Sequence, residues 1–404
     1  MKVIIVGGGI GGLAAALACA NAGHDVQVLE RQDKFTEIGA GIQLAPNAFN
    51  ALDSLGVGEA VKNLAVPVDE LRLMDGVTGD VINRLPLDDE YQEVFKNPYM
   101  VVHRTDLYYP LLDACEAHPS IKLRTSCAIS NYYQNDVTAS VTLSNTETVS
   151  GDVIVGADGI RSVVRQQLIG DGEPRVSGHT IYRAIVPMDN VPEDLRWNAV
   201  SLWSGPKWHF VHYPIASGKY MNLAATIDNQ ATQAVTGEAT PSNTVLELFS
   251  ELNDEAQRLL NLGRDWKKWV LCDRNSVDTW TDGRVALLGD AAHPMLQYAA
   301  QGACMALEDA VVLGELFKGA NSGNVSARLK EYNGLRKDRT ARVVDAARFM
   351  GQNIYHAAGT AAQQRNEQLM NMKPSDCHEV LAWLHGVEAP FMEDTSLIKV
   401  DKIA

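Results

Sequence analysis

Two short stretches carry side chains that could move a proton or hold a polar ligand. In "KWHFVHYP", residues 207–214, a two-residue period puts His209, Val211 and Tyr213 on one face and Trp208, Phe210 and His212 on the other. An imidazole and a phenol could therefore project together into one cavity. Unperturbed imidazole titrates near ~6.5, which suits proton transfer at neutral pH. A lone histidine in a strand is more often a satisfied core residue, and nothing local decides between the two. In "LLGDAAHPMLQYAAQGACMALEDA", residues 287–310, a small and apolar run is interrupted by Asp290, the His293-Pro294 pair, Gln297 and Gly302. A buried strand-helix corner accounts for the apolar residues but not for Asp290 or Gln297.

The elements that must position these groups begin at the first residues. "KVIIV" suits a buried parallel strand, Gly7-x-Gly9-x-x-Gly12 follows, and a helix of small residues runs on to Gly23, a stop signal. "DVQVLE" then forms a second strand ending in Glu30, with Arg31 beside it, about 20 residues past the loop. Gly7 permits the tight turn, Gly9 lets the backbone approach a pyrophosphate, and Gly12 lets helix and strand pack closely. The pyrophosphate would sit on the positive helix N-terminus, with Glu30 accepting from ribose hydroxyls. The fingerprint predicts dinucleotide binding without choosing between FAD and NAD.

The bulk numbers bound the rest. At 404 residues, two or three domains are expected. A net charge of −15 argues against nucleic acid and anionic membrane partners, which need a positive footprint. Six cysteines lie far apart with no CxxC and no histidine cluster at ligand spacing, so no metal is expected and a reducing, cytoplasmic setting is. Val3–Ala22 has the composition of a signal peptide, but its five glycines would weaken an inserting helix and the dinucleotide loop explains it better. No membrane span is expected.

Two later segments repeat the strand-to-turn pattern: "DVIVGADGIRSVVR" with Asp158-Gly159, and "GRVALLGDAAHP" with Gly289-Asp290. With the early glycines, the chain resembles over nearly its whole length the FAD-dependent aromatic hydroxylases of the para-hydroxybenzoate hydroxylase type. That resemblance implies an α/β fold: a Rossmann-like, glutathione-reductase-type FAD domain, a β-sheet substrate domain and a C-terminal helical region. It implies non-covalent FAD, with Glu30 and the early glycines on its ADP half and Arg104 of "HRTDL" along it. Asp158 would support the region where FAD and NADH or NADPH meet. Asp290 would bond the ribityl chain, Pro294 would sit at the flavin's reactive edge, and Gly302 would permit close approach. The helix after Gly302 would aim its positive end at the reduced, anionic ring.

"GPKWHFVHYP", the Gln297 segment, "IYHAAGTAAQQRNEQL" and "WLHG" look like the 3-hydroxybenzoate 6-hydroxylases, whose matching His, Tyr and Gln face the substrate. The resemblance implies a small aromatic acid and O2 as substrates. Reduced flavin would form a flavin hydroperoxide, and His209 would act as general base on the phenol, whose ordinary pKa is about 10. Tyr213 and Gln297 would orient the ring, giving gentisate from 3-hydroxybenzoate. Salicylate 1-hydroxylase and 6-hydroxynicotinate 3-monooxygenase share this scaffold. A plain nicotinamide-dependent dehydrogenase leaves the Asp158 and Asp290 segments without a role. Arg183 is a candidate for the carboxylate, and Asp75 is a pocket residue or a turn acid. The expected FAD domain is discontinuous (1–71, 97–176, 274–342), around a substrate domain at 72–96 and 177–273. A helical region at 343–404 ends in a polar tail. A homodimer follows from the resemblance alone.

Overall fold

The computed structural model describes residues 1–37 and 39–391; the polar tail from 392 lies outside the described residues. A six-stranded sheet is organised around Lys2–Val6, whose Val3, Ile4 and Ile5 are fully buried. This strand pairs in parallel with Asp25–Leu29 on one side and Val153–Gly156 on the other. Ile121–Arg124 and Val285–Leu287 extend the parallel set, so the early glycine loop, the Asp158 turn and the Asp290 turn all leave the same edge. That common edge is where an open α/β sheet binds its ligand.

Helix Ile10–Asn21 stops just before Gly23, which takes φ +90°. It packs against helix Gly302–Phe317 through small residues: a Cβ on Gly314 would stand 2.7 Å from that of Ala18. Small side chains bring two helices with adjacent N-termini close together.

The second large sheet has eight strands, its centre formed by Arg175–Pro187, Tyr220–Asp228, Trp208–Ile215 and Ala199–Gly205 in antiparallel order. Glu70–Asp75 joins Ala199–Gly205 in parallel and Val81–Pro86 closes that edge. The alternation in "KWHFVHYP" holds. Trp208 and Phe210 enter a core with Trp203, Trp266 and Phe249. Val211 and Tyr213 lie on the other face with Ile181, Leu202 and Ala224. After Arg175–Pro187 and its neighbours, helices Val325–Phe349, Gly359–Met370 and Pro374–His385 cover the pocket side, joined by a π-helical turn at Met350–Tyr355. Among the described residues no helix is long and apolar enough to cross a membrane.

Candidate active site

Two helices start at the sheet edge without a side-chain cap among the described residues. Neither Gly9 before Ile10–Asn21 nor Gln301 before Gly302–Phe317 makes a side-chain cap, and neither first turn holds an acid. A helix N-terminus without such a cap suits an anionic ligand. A Cβ at Gly9 would meet nothing within 4 Å, and one at Gly302 only Asp290 Oδ1 at 4.0 Å. By contrast a Cβ at Gly7 would stand 2.4 Å from the Ala157 carbonyl oxygen. Gly7 and Gly12 are thus glycines for the protein's own packing, whereas Gly9 and Gly302 face space that a cofactor would fill. Glu30 accepts from Gly8 N and Gln32 N at 2.8 Å each, at the end of its strand.

Arg104 begins a helix with Nε 3.0 Å from Glu37 Oε1. Arg31 is exposed. Asp158 is engaged by the protein itself, accepting from the Ser162 hydroxyl and from Val163 N at 2.7 Å. Its burial outweighs those bonds and raises its pKa. The strand before Asp290 stops at Leu287, because Gly289 turns the chain at φ +61°. Asp290 is therefore exposed, in a short turn at Gly289–Ala291, and Pro294 is buried behind it.

Sequence reasoning passed over the residues that hold this turn. Arg165 donates to the carbonyls of Ala291 and Ala292 at 3.0 and 2.6 Å. Asp309 accepts from Gly289 N at 3.1 Å, His293 Nε2 at 2.5 Å and Arg336 Nε at 2.8 Å, all buried. Burial alone would raise the Asp309 pKa, but His293 and Arg336 hold it at about 2. Glu308 is likewise depressed by Arg339 and Arg336 against its burial. The available signal was two adjacent acids in the middle of an apolar run of the helix, matched by arginines three residues apart at 336 and 339.

The face of the second sheet turned to this edge carries Arg183, Thr226, Asn222, His209, Val211 and Tyr213 in register. Gln297 closes it: its Oε1 accepts from Arg183 Nη2 at 2.7 Å and its Nε2 lies 3.3 Å from Thr226 Oγ1. Tyr213 packs under Gly41, where a Cβ would stand 2.5 Å from its ring. Burial pushes the Tyr213 phenol up to about 12, opposed by Arg183 and Gln43, so it stays a donor. Arg183 has no carboxylate partner among the described residues, and its pKa is lowered by burial. Asp75 is a turn acid, accepting from Val77 N and Thr78 N at 3.0 Å, with Asn366 on its other oxygen.

His209 is buried, and burial, then His356 and His179, hold its pKa well below the usual histidine range. Its Nδ1 lies 2.8 Å from His356 Nε2, leaving Nε2 for a ligand. The structure brings His209, Tyr213 and Gln297 to one face, and adds Arg183, Thr226 and His356 to them.

Two uncapped helix ends, an acid at the second strand and a roofed polar face are what a flavoprotein of the aromatic hydroxylase kind needs. The chain belongs to the family described as FAD binding domain, matched over residues 1–347, and FAD is its cofactor. It is 46% identical over 388 residues to 3-hydroxybenzoate 6-hydroxylase 1 of Aquipseudomonas alcaligenes, covering 96% of this chain and 98% of that one. It is 42% identical to 3-hydroxybenzoate 6-hydroxylase of Klebsiella oxytoca, covering 96% of each. A salicylate hydroxylase substrate complex superposes with TM-score 0.83 at 22% identity, covering 100% of this chain and 99% of the other, a likeness of fold.

Proposed function

We propose that this protein hydroxylates 3-hydroxybenzoate at the ring carbon para to its hydroxyl, giving gentisate, with O2 and with NADH or NADPH as electron donor. Bound FAD, reduced by the nicotinamide, supplies the activated oxygen. One observation carries the substrate class: a buried base and a partly buried guanidinium, which has no carboxylate partner among the described residues, stand on the same sheet face.

His209 and Tyr213 are four residues apart, about 13 Å along a strand. A benzoate with a meta hydroxyl laid over Val211 bridges that interval when imidazole and phenol lean inwards. His209 Nε2 takes the phenolic proton, leaving the electron pair on oxygen and raising charge at the para carbon. Its depressed pKa keeps it unprotonated and ready to accept. At the other end Tyr213 donates to the carboxylate and Arg183 pairs with it. That pairing supplies local attraction in a chain of net charge −15. Gln297 fixes the guanidinium and orients the ring. On the cofactor side Gly9, Gly302, Glu30, Arg31, Arg104, Asp158, Asp290 and Pro294 hold the roles the family resemblance implies.

The segments 1–71, 97–176 and 274–342 are taken as the FAD part, 72–96 and 177–273 as the substrate part, and the enzyme as a cytoplasmic homodimer. Chromatography of products from purified holoprotein is the test. Gentisate is expected; catechol with carbon dioxide would mean salicylate chemistry. His209→Ala should lose about 100-fold or more in hydroxylation, and normal hydroxylation by this variant would remove His209 as the base.

A further inference from the structure

His209 stands at the inner end of a row of imidazoles. Its ring centroid is 5.0 Å from that of His356, and His356 is 5.0 Å from His179. Exposure rises along the row, from 2% at His209 to 8% at His356. It reaches 12% at the His179 side chain and 31% at Asp228, whose Oδ2 lies 4.0 Å from His179 Nε2. Tyr298 faces all three rings and its hydroxyl bonds His179 Nδ1. Tyr355 faces His209, and Arg175 acts on His179 from outside. Among the described residues no carboxylate is hydrogen-bonded to His209 or His356, so the contact between them is one N–H meeting one lone pair.

A base in a dry site has to dispose of its proton, because a buried imidazolium costs several kcal/mol. We propose that His356 relays the substrate's phenolic proton from His209 towards His179 and solvent beside Asp228. The proposal rests on His209 as the base. The phenolic O–H breaks, its electron pair stays on oxygen, and the proton bonds to His209 Nε2. The proton on His209 Nδ1 then crosses to Nε2 of His356, and His356 releases the one on its Nδ1 outward. That last hop, between rings 5.0 Å apart, is completed by ring rotation or water.

The backbone holds His356 in place independently of its ring. Ser204 Oγ donates to the carbonyls of Ile354 and Tyr355 at 3.1 and 2.9 Å, and Lys207 N to that of His356 at 3.2 Å. The π-helical turn before it shifts the register so that Tyr355 and His356 both reach His209.

The experiment mixes oxidised holoenzyme with 3-hydroxybenzoate in a stopped-flow, without nicotinamide, and follows phenolate by its ultraviolet band. His356→Gln keeps a hydrogen bond to His209 but cannot carry a proton. It should bind substrate normally and form phenolate on the order of tenfold more slowly. His356→Ala should be slow too, and added imidazole should restore part of its rate. A packing role predicts neither the slow glutamine variant nor the rescue. Parental rates in His356→Gln with a slow His209→Ala overturn the relay and leave the base; parental rates in both overturn both. Should His356→Gln not fold, His179→Asn decides: slowed phenolate is expected, and a parental rate overturns the relay.

Discussion

A Cβ placed on Gly12 would stand 2.0 Å from the carbonyl oxygen of Gly7, so strand end and helix touch backbone to backbone at this point. Gly9, between them, has open space where its Cβ would go. The glycine fingerprint therefore divides into positions the fold requires and one that the fold leaves free. Gly12→Ala should impair folding itself, seen as loss of soluble protein or a much lower melting temperature. Gly9→Ala should fold with normal circular dichroism and melting of the apoprotein, yet bind FAD at least about tenfold more weakly by fluorescence titration. Equal FAD affinity in Gly9→Ala would mean the pyrophosphate does not approach this backbone.

Arg183 is held by Gln297 alone among the described residues, with no acid to neutralise it. Replacing it with methionine removes a charge-assisted bond worth about 1.5–3 kcal/mol, and KM for the aromatic acid should rise about 10–150-fold. FAD content should not change. A phenol lacking the carboxylate should be indifferent to the substitution, and an unchanged KM for 3-hydroxybenzoate would leave Arg183 a structural residue.

The Asp309 carboxylate beneath the Gly289 turn has a folded pKa of about 2. An unfolded aspartate titrates near ~3.9. Because the folded value is the lower one, its stabilisation is present above about pH 4 and drains away as pH falls towards 2. Glu308 acts in the same direction. Asp309→Asn removes the charge facing buried His293 and leaves Arg336 with Glu308 as its acid, and it should cost about 3–5 kcal/mol at pH 7. Urea midpoints measured from pH 7 down to the acid limit should be lower throughout for the variant and less steep below pH 4.

Much of this was legible along the chain because it depends on local period or local backbone. The two-residue alternation of 207–214 assigns His209 and Tyr213 to one face without any partner strand, and the structure keeps that assignment. The glycine loop, its helix and the strand ending at Glu30 are likewise set by conformational needs within thirty residues. The exact point at which the Val285–Leu287 strand ends was not legible, because a positive φ at Gly289 turns the chain and a glycine alone does not announce its φ.

Local period and local backbone specify a dinucleotide loop, an alternating sheet and the residue types able to serve a base and a clamp. Which of them meet follows from long-range packing. Arg183 and Gln297 are 114 residues apart, His209 and His356 147. The two acids of the apolar helix find their arginines on a different helix. Contacts of that span depend on how two sheets and the C-terminal helices close over one edge, and no periodicity within a single segment encodes that closure.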